Sequence, residues 1–248
     1  MHPVIFRIGP LTIYSYGVML SLAFLTAVSL MAARSKKAGL NPDIILDLSV
    51  CLLISGIIGG RLLHVGLNLG YYTAYPREII MLHHGGLAYQ GGVVLAGLCG
   101  FWYLKKKKIS FLKTADFVVP YVALGQFLGR IGCFLNGCCY GRETDCALGV
   151  LFPGREAYVH PTQLYYSASW LAVFVVLNIL SSRKRFRGKI FALYFLFYGF
   201  IRFFIDFLRG DLPGVLFGLT ATQLINLSFV LLAGVLYLYQ ATYGKKEI

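Results

Sequence analysis

Residues 11–33 read LTIYSYGVMLSLAFLTAVSLMAA, a run without a single charged side chain. An α-helix rises 1.5 Å per residue, so this run is about 35 Å long as a helix. The hydrocarbon core of a bilayer is roughly 30 Å thick. The run therefore predicts a membrane-spanning helix, and its length indicates a retained span rather than the shorter core of a cleaved signal peptide.

Six further stretches have the same character. The runs 85–104, 157–182 and 212–244 lack charge, and 44–67, 117–135 and 190–207 contain only isolated charges. The chain is 58% hydrophobic and 13% charged, whereas soluble domains are about 25% charged. We expect an all-α integral membrane protein with seven transmembrane helices, forming a single polytopic domain over residues 1–248.

The net charge of +13 could indicate a nucleic-acid-binding protein, but its distribution argues against one. Every lysine lies in a cluster that follows the first, third, fifth or seventh span. This alternation is the positive-inside pattern. It predicts an N-terminus outside the cell membrane, a cytoplasmic C-terminus, and no nucleic acid among the partners.

Three arginines, Arg61, Arg130 and Arg202, fall within or at the ends of predicted spans, where a charge is costly and usually functional. In the stretch YGFIRFFIDFLRGD, residues 198–211, the spacing places Tyr198, Arg202 and Asp206 on one helix face. One interpretation is a ladder in which Asp206 neutralises the neighbouring arginines. The other is an anion site, because one carboxylate cannot neutralise two arginines and Arg130 adds a further charge. Arginine binds phosphate well, and a phosphate within reach of a bilayer indicates a phospholipid.

Other polar features leave alternatives open. The glycine-rich segment 55–61 predicts close helix packing, whereas segment 85–92 predicts either such packing or a broken segment or backbone that approaches a ligand. His160, before Pro161, is either part of a helix start or a hydrogen-bonding group or base, and the same holds for His83 and His84. Four outer cysteines favour a structural disulfide, with redox activity or a zinc site as less common interpretations; these four are Cys133, Cys138, Cys139 and Cys146.

Five motifs, in order along the chain, resemble the prolipoprotein diacylglyceryl transferase family of the bacterial inner membrane. They are HPVIFRIGPLTIYSYGVML (2–20), GGLAYQGG (85–92), GRIGCFLNGCCYGR (129–142), HPTQLYYS (160–167) and YGFIRFFIDFLRGD (198–211). The resemblance implies a multi-pass membrane enzyme that transfers a diacylglyceryl group from phosphatidylglycerol to the lipobox cysteine of a preprolipoprotein. The products are a thioether and glycerol phosphate. We expect neither a cofactor nor a metal ion.

The resemblance also assigns residues to roles. The catalytic positions are Arg202, Tyr198 and Gln90. The substrate-binding positions are Arg130, Tyr16, Asn136, Gly141, His160, Asp206 and Arg209. Arg130 matches the signature arginine that binds phosphatidylglycerol.

Four positions depart from the family pattern. Gln90 replaces a histidine, Cys133 an asparagine and Cys138 a glutamate, while Asp206 replaces a glutamate and keeps its charge. Glutamine cannot act as a base near neutral pH, so a member without catalytic activity that binds lipid or lipoprotein is one alternative. A membrane thiol oxidoreductase using the outer cysteines is another. A disulfide between Cys133 and Cys138 is a further hypothesis.

Overall fold

The computed structural model describes residues 2–9, 11–82, 85–183, 186, 188–210, 214–216 and 218–242. The long helices are α1 (Ser15–Ser35), α2 (Pro42–Leu67), α4 (Tyr89–Lys106), α5 (Phe111–Asn136), α6 (Thr162–Ser181), α7 (Ile190–Asp206) and α8 (Ala221–Thr242). The described residues also form a short helix α3 (Leu69–Ala74) and two 3-10 helices, Lys36–Ala38 and Pro76–Ile80. Two antiparallel hairpins, β1 (Val4–Ile8) with β2 (Leu11–Tyr14) and β3 (Gly214–Leu216) with β4 (Leu219–Thr220), were not expected from the sequence.

Each of the seven predicted stretches overlaps one long helix. Five of these helices, α1, α2, α5, α6 and α8, are long and apolar enough to cross a membrane, which fits an integral membrane protein. The count of seven spans, the orientation of the termini and the single domain stay predictions.

Four predicted stretches begin too early, because other local structure precedes the helix. Residues 11–14 form β2, whose Thr12 and Ile13 pair with β1 at Arg7 and Phe6, and β-branched residues suit a strand. Helix α4 begins only after Gly85 and Gly86, which have φ of 83° and 81°. Helix α6 begins after Pro161.

Helix α8 also begins later than predicted, at a capping box. The Gln223 N–H donates to Thr220 Oγ1 at 3.2 Å, and the Thr220 N–H donates back to Gln223 Oε1 at 2.9 Å. These reciprocal bonds satisfy amide groups at a helix N-terminus. They fix the first turn of α8, in which Thr222 lies.

The chain forms two compact units, which are described separately: residues 1–30 with 115–248, and residues 31–114. The first unit has an aromatic and aliphatic core contributed by α5, α6 and α7, in which Trp170, Leu177 and Ile190 are almost completely buried. Asp116 of α5 accepts a hydrogen bond from the Phe191 N–H at 2.8 Å. A carboxylate there complements the positive end of the α7 dipole and orients this helix.

The second unit is built on close packing between α2 and α4. A Cβ at Gly91 would collide with the Gly59 carbonyl oxygen and the Leu63 Cβ, and a Cβ at Gly92 would lie 2.8 Å from the Gly56 carbonyl oxygen. Small residues allow such an approach of two backbones. The two glycine pairs of segment 85–92 therefore differ, since Gly85 and Gly86 adopt left-handed φ values while Gly91 and Gly92 pack.

Arg61 of α2 is buried, with 6% of its surface exposed, and is surrounded by backbone carbonyls. Its Nε donates to Ile79 O at 2.9 Å, and its two terminal nitrogens donate to the carbonyls of Glu78, Met81, Gly85 and Gly86. Its guanidinium also lies over the Tyr72 ring, 5.3 Å from the centroid. These hydrogen bonds stabilise the buried charge of Arg61 without a ligand. Arg61 thereby holds the segment that leads into α4.

Gly91→Ala tests the α2–α4 contact. We expect a loss of about 1–3 kcal/mol of stability, the usual cost of overpacking, seen as a lower unfolding temperature of the detergent-solubilised protein. Gly97→Ala is the matched control, because it lies on the same helix with no atom within 4 Å of its Cβ position. Equal unfolding temperatures for the two variants would contradict the packing assignment.

Candidate functional site

The first unit gathers polar residues at one end of its helices, where α1, α6 and α8 begin and α5 and α7 end. Arg130 lies in the last two turns of α5, Tyr166 in the first turns of α6, and Arg202 and Asp206 near the end of α7. Tyr16 lies at the start of α1. Five helix ends therefore determine where the predicted residues of this unit lie.

Tyr166 joins the two arginines. Its ring is fully buried, and the Arg130 guanidinium carbon lies 4.2 Å from the ring centroid, while that of Arg202 lies 5.5 Å away. A guanidinium over an aromatic face is attracted by the ring quadrupole. One tyrosine thus brings together the positive charges of two different helices, as the anion-site interpretation requires.

Asp206 fixes Tyr166 in turn. The Tyr166 hydroxyl donates to Asp206 Oδ1 at 2.7 Å, and the Thr222 hydroxyl donates to Oδ2 at 2.9 Å. Asp206 is only 2% exposed. Hydroxyl groups of α6 and α8 therefore occupy both carboxylate oxygens, which differs from the simple ladder along α7.

One hydrogen-bond donor of the Arg202 guanidinium is unsatisfied among the described residues. Its Nε is buried and has no hydrogen-bond partner among the described residues. Buried donors are normally paired, and an unpaired one is costly. Tyr198, one turn earlier, packs on Trp170 with ring centroids 5.6 Å apart. The guanidinium of Arg202 is thus held by packing with donor capacity left for an acceptor such as an anion.

Gly141 brings the loop after α5 against the ends of α6 and α7. Its N–H donates to His160 O at 2.8 Å, and the next N–H, of Arg142, donates to Leu208 O at 2.8 Å. A Cβ at Gly141 would lie 2.9 Å from His160 Cβ. His160 Nδ1 lies 3.3 Å from the Tyr165 hydroxyl. Glycine is therefore required here by a close approach.

Three cysteine sulfurs meet beside Arg130. The Sγ atoms of Cys133, Cys138 and Cys139 all lie within 4.8 Å of one another. All six cysteines lie in the described part of the chain and are free thiols, so the hypothesised Cys133–Cys138 disulfide is not formed. Hydrogen bonds from Cys133 and Cys139, followed by one from Asn136, lower the pKa of the Cys138 thiol.

Tyr16 lies next to this cluster. A Cβ at Gly132 of α5 would lie 3.5 Å from Tyr16 Cδ2, and the tyrosine interacts electrostatically with Arg130 and the three cysteines. Tyr16 is 41% exposed. It is therefore the accessible member of this group.

The remaining predicted residues are less tied to this arrangement. Arg209 is half-buried, and its N–H donates to the Asp206 carbonyl oxygen at 3.2 Å. Gln90 belongs to the second unit, where it is exposed in the first turn of α4. His83 and His84 lie outside the described residues.

Sequence reasoning missed Tyr166, Thr222 and Gln163. Gln163 is fully buried; its Nε2 donates to Cys138 O at 2.6 Å, and its Oε1 has no partner among the described residues. A usable signal existed for Thr222, because T-x-x-Q before an apolar run is a capping-box pattern. For Tyr166 the signal was weak, since tyrosines are common at membrane helix ends.

The chain is similar over almost its whole length to proteins of one family. The profile described as "Prolipoprotein diacylglyceryl transferase" matches residues 3–239. A relative from Clostridium tetani is 38% identical over 240 residues, which cover 95% of this chain and 96% of the relative. A relative from Geobacter sulfurreducens is 36% identical over 226 residues, covering 89% and 86%. One from Bacillus licheniformis is 31% identical over 257 residues, covering 99% and 95%. All three are named phosphatidylglycerol–prolipoprotein diacylglyceryl transferase.

Tyr166→Phe tests the bond to Asp206. The ring that carries the arginines remains, but a buried carboxylate oxygen loses its donor, so we expect a loss of about 1–3 kcal/mol of stability. The measurement is the unfolding temperature in detergent. Tyr158→Phe, which removes a hydroxyl from a tyrosine that is 57% exposed, should leave the temperature unchanged. A Tyr166→Phe protein as stable as this control would contradict the assignment.

Proposed function

Because the chain belongs to the prolipoprotein diacylglyceryl transferase family, we propose that it transfers a diacylglyceryl group from phosphatidylglycerol to a prolipoprotein cysteine. The family membership makes it a transferase, and the five long apolar helices fit a membrane-embedded one. The acceptor is the lipobox cysteine of a preprolipoprotein. The location is the bacterial inner membrane, which the chain crosses seven times with its N-terminus outside.

The observation that carries this proposal is the pair of arginines on Tyr166, one of which has a buried donor without a partner among the described residues. Phosphatidylglycerol carries one negative charge on its phosphodiester. Arg130 and Arg202 together bring two positive charges against the single carboxylate of Asp206. One bound phosphodiester therefore balances the group, and arginine is well suited to phosphate.

The reaction moves negative charge from sulfur to phosphate. The cysteine thiol loses its proton, and the thiolate attacks the glycerol carbon that carries the phosphate oxygen. A C–S bond forms while the C–O bond breaks, and the oxygen leaves with the electron pair as glycerol phosphate. Arg202 and Arg130 stabilise the charge that develops on the leaving group, the type of contribution that lowers a barrier most.

The other residues of the first unit position these groups. Tyr198 orients Arg202, and Asp206 holds Tyr166 under both arginines. Gly141 and His160 form the side of the headgroup pocket where the loop meets α6. The exposed Tyr16 and the half-buried Asn136 and Arg209 contribute polar contacts to the headgroup.

Arg202→Ala should lower kcat/KM by about 10²–10³-fold, the usual cost of one group that stabilises transition-state charge. Arg130→Ala should act mainly on KM for the lipid, by about 10–100-fold, the value of one charged hydrogen bond. The assay uses full-length protein in liposomes with phosphatidylglycerol and a single-cysteine lipobox peptide. Mass spectrometry measures diacylglyceryl peptide, and released glycerol phosphate is quantified alongside.

Two controls make this test decisive. Arg77→Ala removes an exposed arginine and should keep the wild-type rate, and liposomes of phosphatidylethanolamine alone should give no product. Near-wild-type rates for Arg202→Ala would contradict the site. Absence of product from the wild-type chain, while the Clostridium tetani relative works in parallel, would contradict the function and favour a member without catalytic activity.

Gln90 is assigned a role by resemblance alone. A glutamine cannot take the proton of the thiol, so we propose that the substrate thiolate forms in solution before attack. The unperturbed thiol pKa is about 8.5. We therefore expect kcat/KM for the peptide to rise with pH up to about 8.5, because only the ionised thiol reacts.

Gln90→His is the informative variant for this proposal. An imidazole with a pKa of about 6.5 should raise the rate near pH 7 and give an earlier plateau, whereas Gln90→Ala should keep the wild-type pH profile. A wild-type plateau already reached at about pH 7 would contradict attack by a preformed thiolate. In that case His160→Gln would identify the base by removing the plateau.

A further inference from the structure

The turn after α5 explains why three cysteines meet. Gly137 has φ of 71°, its N–H donates to Phe134 O at 3.1 Å, and the Cys138 N–H donates to Cys133 O at 3.2 Å. This pair of bonds is a Schellman motif, in which the residue after the glycine returns against the residue five positions earlier. A spacing that is uncommon for metal ligands in sequence therefore brings Cys133 and Cys138 together.

Cys139 joins them because the turn continues in a left-handed conformation, with φ of 64°. Helix α6 holds this backbone in place. Thr162 Oγ1 donates to Cys139 O at 2.7 Å, and Gln163 Nε2 donates to Cys138 O at 2.6 Å. Both side chains on α6 are fully buried. The cysteine positions are thus set by a rigid frame.

The sulfur spacing fits a thiophilic metal ion. Thiolate sulfurs around tetrahedral zinc, with Zn–S of about 2.3 Å, lie about 3.8 Å apart. The three Sγ atoms are within 4.8 Å of one another, so small side-chain rotations produce that geometry. A disulfide requires about 2.0 Å between sulfurs and joins only two, which leaves the third cysteine unexplained.

The local charge also fits a divalent ion. Three thiolates and one Zn²⁺ carry a net charge of −1. Arg130 lies one helical turn before Cys133 and interacts electrostatically with Cys133 and Cys138. The arginine therefore attracts the metal–thiolate group as well as the proposed lipid phosphate, and these two anionic groups share its positive charge. Each thiol releases its proton when it binds the metal.

We propose that Cys133, Cys138 and Cys139 bind one zinc ion as thiolates at the end of α5, with the fourth position open to solvent or a further ligand. The site goes beyond diacylglyceryl transfer and differs from the expectation that the chain has no metal site. Its role is to fix the loop that carries Gly141.

The test is metal binding by the full-length protein in detergent, purified under reducing conditions and stripped with a chelator. Zinc bound per chain after desalting is measured by elemental mass spectrometry, and affinity by competition with a chromophoric chelator. We expect about one zinc ion per chain in the wild type and in the control Cys99→Ser. Cys133→Ser, Cys138→Ser and Cys139→Ser should each weaken binding by at least about tenfold, because each removes a ligand.

A second measurement does not depend on the folding of variants. Zinc should protect these three cysteines of the wild-type chain from alkylation, read by peptide mapping, and leave Cys146 reactive. No zinc bound by the reduced wild type, or full binding by Cys133→Ser, would overturn the proposal. A disulfide between any two of the three cysteines in protein isolated without reductant would do the same. Because zinc binding is read without the transferase assay, failure of the proposed function leaves this result intact.

Discussion

A buried guanidinium requires hydrogen-bond acceptors, and Arg61 and Arg202 differ in how they meet this requirement. Arg61 is surrounded by the backbone carbonyls of Glu78, Ile79, Met81, Gly85 and Gly86 and needs no further acceptor. Arg202 rests on an aromatic face and keeps a buried Nε without a partner among the described residues. Because an unpaired buried donor is costly, only the second arrangement gains from an added anion. The contrast separates a structural arginine from one suited to a ligand.

The arrangement of Arg202 on the Tyr166 ring depends on a series of hydrogen bonds that starts at α8. The capping box of Thr220 and Gln223 fixes the first turn of that helix, so that Thr222 reaches Asp206. Asp206 then holds the Tyr166 hydroxyl. With the ring orientation fixed, charges from α5 and α7 lie on the same side chain. The position of the proposed anion site is therefore a property of helix ends rather than of one motif.

The sequence predicted the helices well and their beginnings poorly. Long apolar runs locate each helix because a bilayer demands length and low charge, but they do not distinguish residues 11–14, which pair as a strand instead. Arg130, Arg202 and Asp206 were identified because charge in an apolar segment is conspicuous. Tyr166 was not, since its role comes from contacts with residues of two other helices, α5 and α7. The four outer cysteines were expected to favour a disulfide, but all of them are free thiols, and the turn after α5 brings three of them together, which their spacing in the sequence did not indicate.

The turn after α5 also explains why the three cysteines lie close to Arg130. Arg130 and Cys133 are one helical turn apart, and the Schellman motif that ends α5 folds Cys138 and Cys139 back toward the same turn. The loop then runs directly into Gly141, which hydrogen bonds to His160. Any bond that fixes the three sulfurs therefore fixes the start of the loop beside the proposed phosphate site.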